Sequence, residues 1–492
     1  MKTVWEQATE LNVFDEADVV VVGGGCAGTS AAIAAARCGA KVILIERYGF
    51  LGGLVTGGQV IMIPNIDNGR GVYCGGILQE WMDRLESKYQ NSVCGPQKQE
   101  AGSTVPELLK KWSLYAGCTH QGRVIYTTFI DPELLKIELC NMLSEAGVTT
   151  YLHCWGTKAF VEDGELKGVI FESKEGRHVI LGKVIVDATG EGDIFSSAGE
   201  TFDTNINPKI RNSNTTECFR IDHIDWETYS AWKLSHLDEH KELLGKIGGM
   251  CGFSMIPIPS NRNDQCWINN WLSNRDSMKV KDLTDIEFTV KRKIPLIIRF
   301  FRENFPGFEN ASLMDIASVV GVRHSRRIHG LYKITMDDLI DGKEYEDAVV
   351  ITPPMHSFNH FPDSVNDPNA EIPMWIPYRA LIPQHLDNLI VGGRCMSSDV
   401  EAHNWLNLIP HSVLTGQAAG TAAALCVKDG VQPRNLNIKE LQAYLKAQNI
   451  YLPMDADPAI KIELVQASAH DEEKLQEQSA DEFYSTVYGM TK

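Results

Sequence analysis

Three glycines, Gly23, Gly25 and Gly28, have the G-x-G-x-x-G spacing that binds the pyrophosphate of a dinucleotide. The first glycine permits a tight turn, the second lets the backbone approach the pyrophosphate, and the third allows close packing of a helix on a strand. The N–H groups that begin the helix then face the phosphates. Glu46 ends the next apolar segment, where its carboxylate can accept hydrogen bonds from ribose hydroxyls. This spacing predicts a dinucleotide cofactor.

The elements around these residues agree with that chemistry. Residues 19–22 form a continuous β-branched run, which is typical of a strand buried on both faces. The alanine-rich segment 27–37 predicts a helix, and residues 41–45 predict a second strand that ends at Glu46. A lone glycine motif would be a weak signal, because a glycine-rich turn that binds no ligand can have the same sequence. A strand, the motif, a helix and a second strand in this order make it specific.

A glycine-rich segment after Glu46 indicates which dinucleotide binds. Arg47 is followed within a few positions by Gly52 and Gly53 and then by a further glycine pair at 57–58. So many glycines imply that the backbone runs close to a large flat ligand. An NAD site has no need of such a segment, whereas the isoalloxazine of FAD extends past the pyrophosphate. We therefore expect FAD.

Two later segments resemble short buried strands that end beside the cofactor. They cover residues 183–187 and 387–391, and each is followed by glycine. Together with the start of the first helix, these segments supply further candidate contacts to the cofactor. The candidates are Cys26, Ala27, Ala188, Thr189, Gly190, Gly393 and Arg394.

The composition is that of an ordinary globular protein and argues against several partners. Of the 492 residues, 43% are hydrophobic and 22% are charged. The formal net charge of −18 argues against nucleic acids and anionic membranes as partners. No uninterrupted apolar run approaches the ~20 residues of a membrane span.

The cysteines and the N-terminal segment favour a cytoplasmic location. Twelve cysteines are scattered from Cys26 to Cys426 without a C-x-x-C pair, as expected for reduced thiols. The first residues carry acids and no apolar signal segment. We expect a cytoplasmic protein, and assembly into a homo-oligomer is left open.

At this length we expect more than one domain. Residues 1–200 and 380–450 contain the nucleotide-binding pattern and are expected to form one discontinuous domain. Residues 201–379 carry most of the tryptophans and many prolines, and we interpret them as an inserted substrate domain. Residues 451–492 form a C-terminal extension with a cluster of acidic side chains.

Several segments, read together, resemble a known family. They are GGGCAG with IERYGFLGG, VDATGEGD, GVRHSRRIHG, and NLIVGGRCMSS with GQAAGTAAAL. The sequence resembles the bacterial FAD-dependent oxidoreductases that have a glutathione-reductase-type Rossmann domain, which are distant relatives of fumarate reductase flavoproteins. The resemblance implies an α/β fold, with a glutathione-reductase-type FAD-binding Rossmann domain and an inserted α+β substrate domain. It also implies an extended FAD, with the flavin at the domain boundary, lined by Gly23, Gly25, Gly28, Glu46, Arg47, Gly53, Gly190, Gly393 and Arg394.

A flavin enzyme must orient a substrate and handle a proton, while the cofactor supplies the redox chemistry. Candidate catalytic residues are His356, His403, Arg379 and Asn407, with His324 and Tyr378 as further candidates. Three arginines could either anchor an anionic group or form structural ion pairs; they are Arg323, Arg326 and Arg327. His356 and His360 are four apart, but the surrounding prolines disfavour a helix, so no metal site is expected.

At Asn407 the sequence departs from the pattern of the family that it resembles. Relatives carry an arginine just ahead of the final helix, where it holds a substrate carboxylate, and Asn407 falls at that position. Asparagine has no charge and a shorter reach than arginine. The substitution predicts a neutral polar substrate. The alternative is that Asn407 is structural and that Arg379 or Arg394 takes over the role of the missing arginine.

The expected function is therefore that of an FAD-dependent dehydrogenase or oxidase that takes a hydride from a small, neutral, polar metabolite. The electron acceptor, whether oxygen, a quinone or a carrier protein, is not indicated. Two main alternatives remain: a flavin reductase of an unsaturated or carboxylate substrate, and a non-catalytic FAD-binding scaffold. A flavin monooxygenase would also use a single Rossmann unit, but its usual supporting motifs are not seen. A disulfide reductase would need a cysteine pair near the flavin and a second glycine fingerprint for NADPH, and neither is present in a suitable context.

Overall fold

The computed structural model describes residues 2–5, 8–354, 372–454 and 460–465. Its strands are β1 (Asn12–Val22), β2 (Val42–Ile45), β3 (Met62–Asp67), β4 (Val93–Cys94), β5 (Thr119–His120), β6 (Arg123–Val124), β7 (Tyr126–Ile130), β8 (Thr149–Tyr151), β9 (Trp155–Glu162), β10 (Glu165–Ser173), β11 (Gly176–Asp187), β12 (Phe202–Asp203), β13 (Phe219–Asp222), β14 (Ser254–Pro259), β15 (Gln265–Trp271), β16 (Ser312–Ile316), β17 (Arg327–Ile328), β18 (Ala348–Thr352), β19 (Met374–Pro377) and β20 (Leu389–Val391).

The α helices within the same ranges are α1 (Cys26–Arg37), α2 (Gly76–Lys88), α3 (Pro106–Trp112), α4 (Pro132–Glu145), α5 (Asp193–Ser197), α6 (Trp226–Ser235), α7 (Leu237–Cys251), α8 (Val280–Asn304), α9 (Met336–Ile340), α10 (Val400–Leu406), α11 (Ile409–Asp429) and α12 (Ile438–Ala447). Among the described residues, no helix combines the length and the apolar character needed to cross a bilayer.

A parallel sheet forms the centre of the molecule. Its strands lie in the order β8, β2, β1, β11, with β20 beside the end of β11. Residues 19–22 of β1 pair with Val42–Ile45 on one side and with residues 184–187 of β11 on the other. All these residues are buried, which explains the continuous β-branched sequence. Because the strands are parallel, their carboxyl ends meet at one edge of the sheet.

Strands β9 and β10 extend this sheet in a different way. β10 runs antiparallel to the first half of β11, and β9 runs antiparallel to β10. β11 therefore pairs with the meander along its first half and with β20 along its second half. The turn between β9 and β10 has positive φ at Asp163 and Gly164 (51° and 79°), as a type I′ hairpin turn requires.

Helices α1 and α11 lie side by side on the parallel sheet, with α11 buried along most of its length. A Cβ atom on Gly416 would lie 2.1 Å from the carbonyl oxygen of Ala27, and one on Gly420 would lie 2.0 Å from that of Ala31. Only glycine allows backbones to approach this closely. Gly416 contacts Ala27 and Gly420 contacts Ala31, so residue numbers increase in the same direction along both helices. The helices are therefore parallel, and both begin at the same end of the sheet.

A second hydrophobic core lies within the segment that the sequence assigns to the inserted domain. It consists of the antiparallel sheet β14-β15-β13-β16 and helices α6, α7 and α8. Its buried residues range from Phe219 to Val322. The later strands β18 and β19 pack into the core of the nucleotide-binding part instead, through side chains such as Val349 and Ile376. A third core, with Val20, Ile43 and Phe195 among its members, covers the other face of the parallel sheet. The fold is thus mixed α/β.

The glycines of α11 provide a test of this packing. Replacing Gly416 by Ala should force α11 away from α1, because the new Cβ atom meets backbone that cannot rotate aside. We expect the free energy of unfolding to fall by about 1–3 kcal/mol, the usual cost of overpacking a core. Urea unfolding followed by tryptophan fluorescence measures this change.

Gly245, in the middle of α7, is the matched control. It is exposed, and a Cβ atom there would meet nothing within 4 Å. Gly245→Ala should leave stability unchanged or raise it by about 0.5–1 kcal/mol, since alanine favours the helix. Equal effects of the two substitutions would refute the close contact between α1 and α11.

Candidate functional site

A cleft of about 560 Å³ opens at the carboxyl ends of the parallel strands. Val22, Ile45, Ala188 and Gly392, which lie at or just after the ends of β1, β2, β11 and β20, all line it. The opposite wall includes residues of β14 and β15, such as Ile256 and Trp267. The edge of a parallel sheet where strands end is the usual place for a ligand in this class of fold.

The three glycines of the fingerprint have different structural roles. Gly23 has φ +97°, and a Cβ atom on it would lie 2.6 Å from the carbonyl oxygen of Ala188. A Cβ atom on Gly28 would lie 1.6 Å from the carbonyl oxygen of Gly23, so this glycine lets α1 pack on the turn. Gly25 differs, because its nearest neighbour would be Gly53 at 3.9 Å. The space in front of Gly25 is open to the cleft and fits a pyrophosphate against bare backbone.

Two helices begin at this cleft without a side-chain cap. The N-cap residues are Gly25 for α1 and Leu408 for α11, and neither side chain accepts a hydrogen bond from the helix. Both line the cleft, as do Ile409 and Ser412 of the first turn of α11. Uncapped N–H groups carry partial positive charge. The cleft is therefore suited to an electron-rich ligand that reaches both helix ends.

Glu46 is buried at the end of β2 and lines the cleft. Its Oε2 atom accepts a hydrogen bond from the N–H of Gly24 at 2.6 Å, and Oε1 accepts one from the N–H of Tyr48 at 2.8 Å. A carboxylate has about four acceptor positions, so others remain for ribose hydroxyls. Burial raises the pKa of this carboxyl group above its ordinary value. Glu46 also fixes the glycine turn against the segment that follows β2.

The loop after β11 is held by Asp187, which is fully buried. Its carboxylate accepts hydrogen bonds from the N–H and hydroxyl of Thr189 and from the N–H groups of Ile194 and Phe195 at 2.7–3.1 Å. These bonds hold Ala188, Thr189 and Gly190 at the cleft. Sequence reasoning missed this role, although an aspartate that ends a buried strand is a signal for it.

Arg394 extends over the same loop. A Cβ atom on Gly190 would lie 2.7 Å from the Nη2 atom of Arg394, so glycine makes room for the guanidinium. Its Nη2 atom lies 3.8 Å from a carboxylate oxygen of Glu191. Within the described residues, the Nη1 atom is buried and has no hydrogen-bond partner. A buried donor of this kind fits a cofactor that brings its own acceptor.

At the side of the inserted sheet, the cleft is lined by two further arginines, Arg211 and Arg323. The Nη2 atom of Arg211 donates to the carbonyl oxygen of Asn404 at 2.5 Å and to Oδ1 of Asn407 at 2.9 Å. Arg323 donates to the carbonyl oxygen of Asn214 at 3.1 Å and to Oδ1 of Asn269 at 3.2 Å. Burial lowers the pKa of Arg211 to about 9 and that of Arg323 to about 10, and Arg323 contributes to the shift at Arg211.

Comparison with known proteins identifies the family. The family described as FAD dependent oxidoreductase matches residues 18–445, which is most of the chain. The chain belongs to this family. It is an FAD-dependent oxidoreductase and therefore an enzyme, so the alternative of a non-catalytic scaffold is set aside. Its cofactor is FAD.

Solved structures with similar folds come from several kinds of flavoenzyme. One is p-nitrophenol 4-monooxygenase PnpA from Pseudomonas putida DLL-E4, with 11% identity, 91% of each chain covered and a TM-score of 0.47. Another is a geranylgeranyl bacteriochlorophyll reductase-like protein from Thermoplasma acidophilum, with 12% identity, 88% of this chain and 83% of that chain covered, and a TM-score of 0.43. A third is the L-amino acid deaminase of Proteus myxofaciens, with 13% identity, 87% and 93% covered, and a TM-score of 0.41.

Most of the predicted FAD contacts line the cleft together. They are Gly23, Gly25, Cys26, Ala27, Glu46, Arg47, Gly53, Ala188, Thr189, Gly190, Gly393 and Arg394. Gly28 and Gly52 lie behind it. The N–H of Gly52 donates to the carbonyl oxygen of Gly24 at 2.8 Å, so Gly52 supports the turn from outside. Individual contacts of these residues with FAD stay predictions.

Two predicted catalytic residues do not face the cleft. Arg379 is half-exposed and forms a bidentate ion pair with Asp347, with N–O distances of 2.8 and 3.0 Å. His403 is fully buried beneath the cleft, and its Nε2 atom lies 3.1 Å from the carbonyl oxygen of Arg323. Burial lowers the pKa of His403 well below its ordinary value, so it stays neutral. These contacts describe structural surroundings for both side chains, and their catalytic roles stay predictions.

The remaining candidates separate in the same way. His324, Tyr378 and Arg327 are held by neighbours outside the cleft. Arg326 does not line the cleft itself, but it donates to Asp193, which does. Of the three arginines considered as anion anchors, Arg323 alone lines the cleft. Asn407 lines it as predicted. His356 and His360 lie outside the described residues.

The open space at Gly25 gives a prediction about FAD. Gly25→Val should yield a folded, colourless protein, because the side chain occupies space that the pyrophosphate needs and meets little of the protein itself. Mass spectrometry of released cofactor should detect FAD from the wild type and none from the variant. Gly28→Val is the comparison, since its Cβ atom would clash with the backbone, and it should fail to fold. Release of FMN, or full FAD content in Gly25→Val, would contradict the assignment.

Glu46 should strengthen FAD binding through its charge. Glu46→Gln should weaken FAD by about 1–3 kcal/mol, the cost of losing charge-assisted hydrogen bonds. Because burial raises the pKa of Glu46, the wild-type affinity should also fall on the acidic side, as the carboxylate takes up a proton. Fluorescence titration of the FAD-stripped protein at several pH values measures both effects.

The variant is its own control for the pH effect. Glutamine cannot ionise, so the affinity of Glu46→Gln should lose the acid-side dependence that the wild type shows. Identical affinities and pH profiles for the two proteins would remove Glu46 from the FAD site.

Proposed function

We propose that this oxidoreductase is a dehydrogenase or oxidase of a small polar metabolite. The observation that supports the proposal is the continuity of one cleft from the glycine turn to the pocket beneath the inserted sheet. FAD, when bound, supplies the redox chemistry by accepting a hydride from the substrate. The protein then has three tasks: to hold the substrate at the cofactor, to exclude water and to handle a proton.

The walls at the inserted sheet suit the first two tasks. Trp267 and Trp271 from β15 line the cleft together with Ile256 from β14. Large apolar side chains exclude water around a substrate. Asn269 lies between the two tryptophans in the sequence and also lines the cleft, where it supplies a polar group for orientation.

We keep His356 as the proposed proton acceptor. No histidine among the described residues lines the cleft. Pro354, two positions before His356, has a carbonyl oxygen that accepts a hydrogen bond from Asn65. Pro64, the residue before Asn65, lines the cleft. The described chain thus comes close to the site just before His356.

We also propose the finer description of the fold. A parallel sheet with an antiparallel β9-β10 excursion beside β11 supports a glutathione-reductase-type FAD domain. The proposed division assigns residues 1–200 and 380–450 to this domain and residues 201–379 to the substrate domain. The range of the second core, from Phe219 to Val322, supports the central part of that insertion.

Anaerobic mixing of the yellow protein with candidate metabolites tests the function. A substrate should bleach the flavin absorbance near 450 nm when oxygen is absent. NADH and NADPH should bleach it only slowly, because the chain has one dinucleotide fingerprint and FAD uses it. His356→Ala should slow reduction by the true substrate at least about 100-fold, in the range of general base catalysis.

Each outcome of this experiment decides a separate point. Rapid stoichiometric bleaching by NADH or NADPH would replace the proposal with the reductase alternative. An unchanged rate in His356→Ala would remove that residue from the mechanism. Readmission of oxygen then distinguishes an oxidase, which regains its colour at once, from a dehydrogenase that needs another acceptor.

A further inference from the structure

We propose that Trp155 forms the adenine site of the FAD cleft, with the adenine ring stacked on its indole. Trp155 is the first residue of β9, and it lines the cleft. The inference concerns how this chain holds its cofactor, so it is independent of the proposed substrate and reaction.

Trp155 is far more exposed than most tryptophans of this chain. Its relative exposure is 52%, and among the ten tryptophans, all of which the structure describes, only Trp5 in the N-terminal segment is more exposed. Within the described residues, no other aromatic ring and no cation contacts its indole. A single exposed tryptophan on an open surface needs no explanation. This one lies in the wall of a cleft, where a flat apolar face is suited to a flat ligand.

Backbone hydrogen bonds hold Trp155 at the end of β2. The N–H of Cys154 donates to the carbonyl oxygen of Glu46 at 2.9 Å, and the N–H of His153 donates to that of Tyr48 at 3.3 Å. His153 has φ +59°, so the chain turns sharply at this point between β8 and β9. Trp155 therefore follows a fixed turn that lies beside Glu46.

Gly156 lets β9 lie against the ends of the central strands. A Cβ atom on it would lie 2.5 Å from Cγ1 of Val22 and 3.3 Å from Cδ1 of Ile45. These two residues are the last of β1 and β2. A larger residue at position 156 would push the strand, and Trp155 with it, away from the edge of the sheet where the cofactor is expected.

The order of the strands indicates that this end of the cleft receives the adenosine half of FAD. β2 lies on one side of β1, whereas β11 and β20 lie on the other. A pyrophosphate at Gly25, after β1, leaves one half of FAD toward Glu46 and the other toward the N-terminus of α11, which packs on β11 and β20. Glu46 is predicted to accept from the ribose of adenosine. The adenine is bonded to that ribose and would lie directly beyond Glu46, at Trp155.

Tyr48, the other aromatic residue at this end of the cleft, already has partners. Its ring stacks on that of Phe50, with ring centres 5.1 Å apart and an angle of 2° between the planes. The guanidinium carbon of Arg47 lies 4.7 Å from the centre of the same ring. Trp155 is therefore the aromatic side chain that remains available to a nucleobase. Stacking suits adenine because every base has a flat π face.

Titration of the FAD-stripped, full-length protein tests the site with three probes, FAD, ADP and FMN. ADP contains the adenine, the ribose and the pyrophosphate without the flavin, whereas FMN contains the flavin without the adenine. Trp155→Ala should weaken FAD and ADP at least about fivefold, the lower end for loss of a stacked base, and leave FMN unchanged. Trp155→Phe keeps an aromatic face and should retain most of the affinity, which covers the case that Trp155→Ala does not fold.

Tryptophan fluorescence reports the contact directly. ADP has no flavin that could quench tryptophans at a distance by energy transfer. Saturating ADP should therefore quench part of the wild-type emission, and Trp155→Phe should lose this effect. Trp5→Ala is the matched control, because Trp5 is fully exposed and lies outside the cleft. It should leave the ADP quenching and the affinity for every probe unchanged, with melting temperature as the control for folding.

Three results would overturn the inference. One is an unchanged affinity of Trp155→Ala for FAD. Another is a loss of FAD affinity that FMN shares or that ADP does not share, since the site would then not be specific for adenine. The third is equal quenching by ADP in the wild type and in Trp155→Phe, which would assign the quenched emission to a different tryptophan.

Discussion

The close contact between α1 and α11 is the constraint on which the rest of the site depends. Gly416 and Gly420 allow the backbone of α11 to lie on Ala27 and Ala31 of α1. The two helices are parallel, so their N-termini reach the cleft together. Parallel neighbouring helix dipoles repel each other, and the repulsion is greatest where two uncapped ends meet. A ligand with phosphates and an electron-rich ring would offset this repulsion, which gives a physical reason for FAD to bind there.

The distribution of charge follows from the same arrangement. The chain has a net charge of −18, whereas charges of both signs line the cleft in equal number. The arginines are Arg47, Arg211, Arg323 and Arg394, and the acidic residues are Glu46, Glu191, Asp193 and Glu287. Arg394 is contributed by the segment after β20, whereas Arg211 and Arg323 come from the inserted segment. The cofactor and the substrate would thus be recognised by different parts of the chain that meet at one cleft. This division would let the substrate pocket change while the cofactor site is kept.

The local features of the nucleotide-binding site could be predicted from the sequence. The βαβ unit depends on residues close together in the chain, and the run at 19–22 and the three glycines were enough to identify it. Even so, β1 begins at Asn12, because its polar first half pairs with β11, which no local pattern indicates. The role of Asn407 could not be predicted, because its partner Arg211 lies 196 positions away. Nor could the pairing of Arg379 with Asp347, which takes that arginine out of the cleft.

Hydrogen–deuterium exchange of the FAD-loaded and FAD-stripped protein tests the central claim most directly, because it compares the two helix N-termini in one measurement. The account predicts that FAD protects amides in residues 24–29 and also in residues 408–412, with α7 (Leu237–Cys251) unchanged as an internal reference. Protection at the first segment without any at the second would contradict the claim that both helices begin at the cofactor.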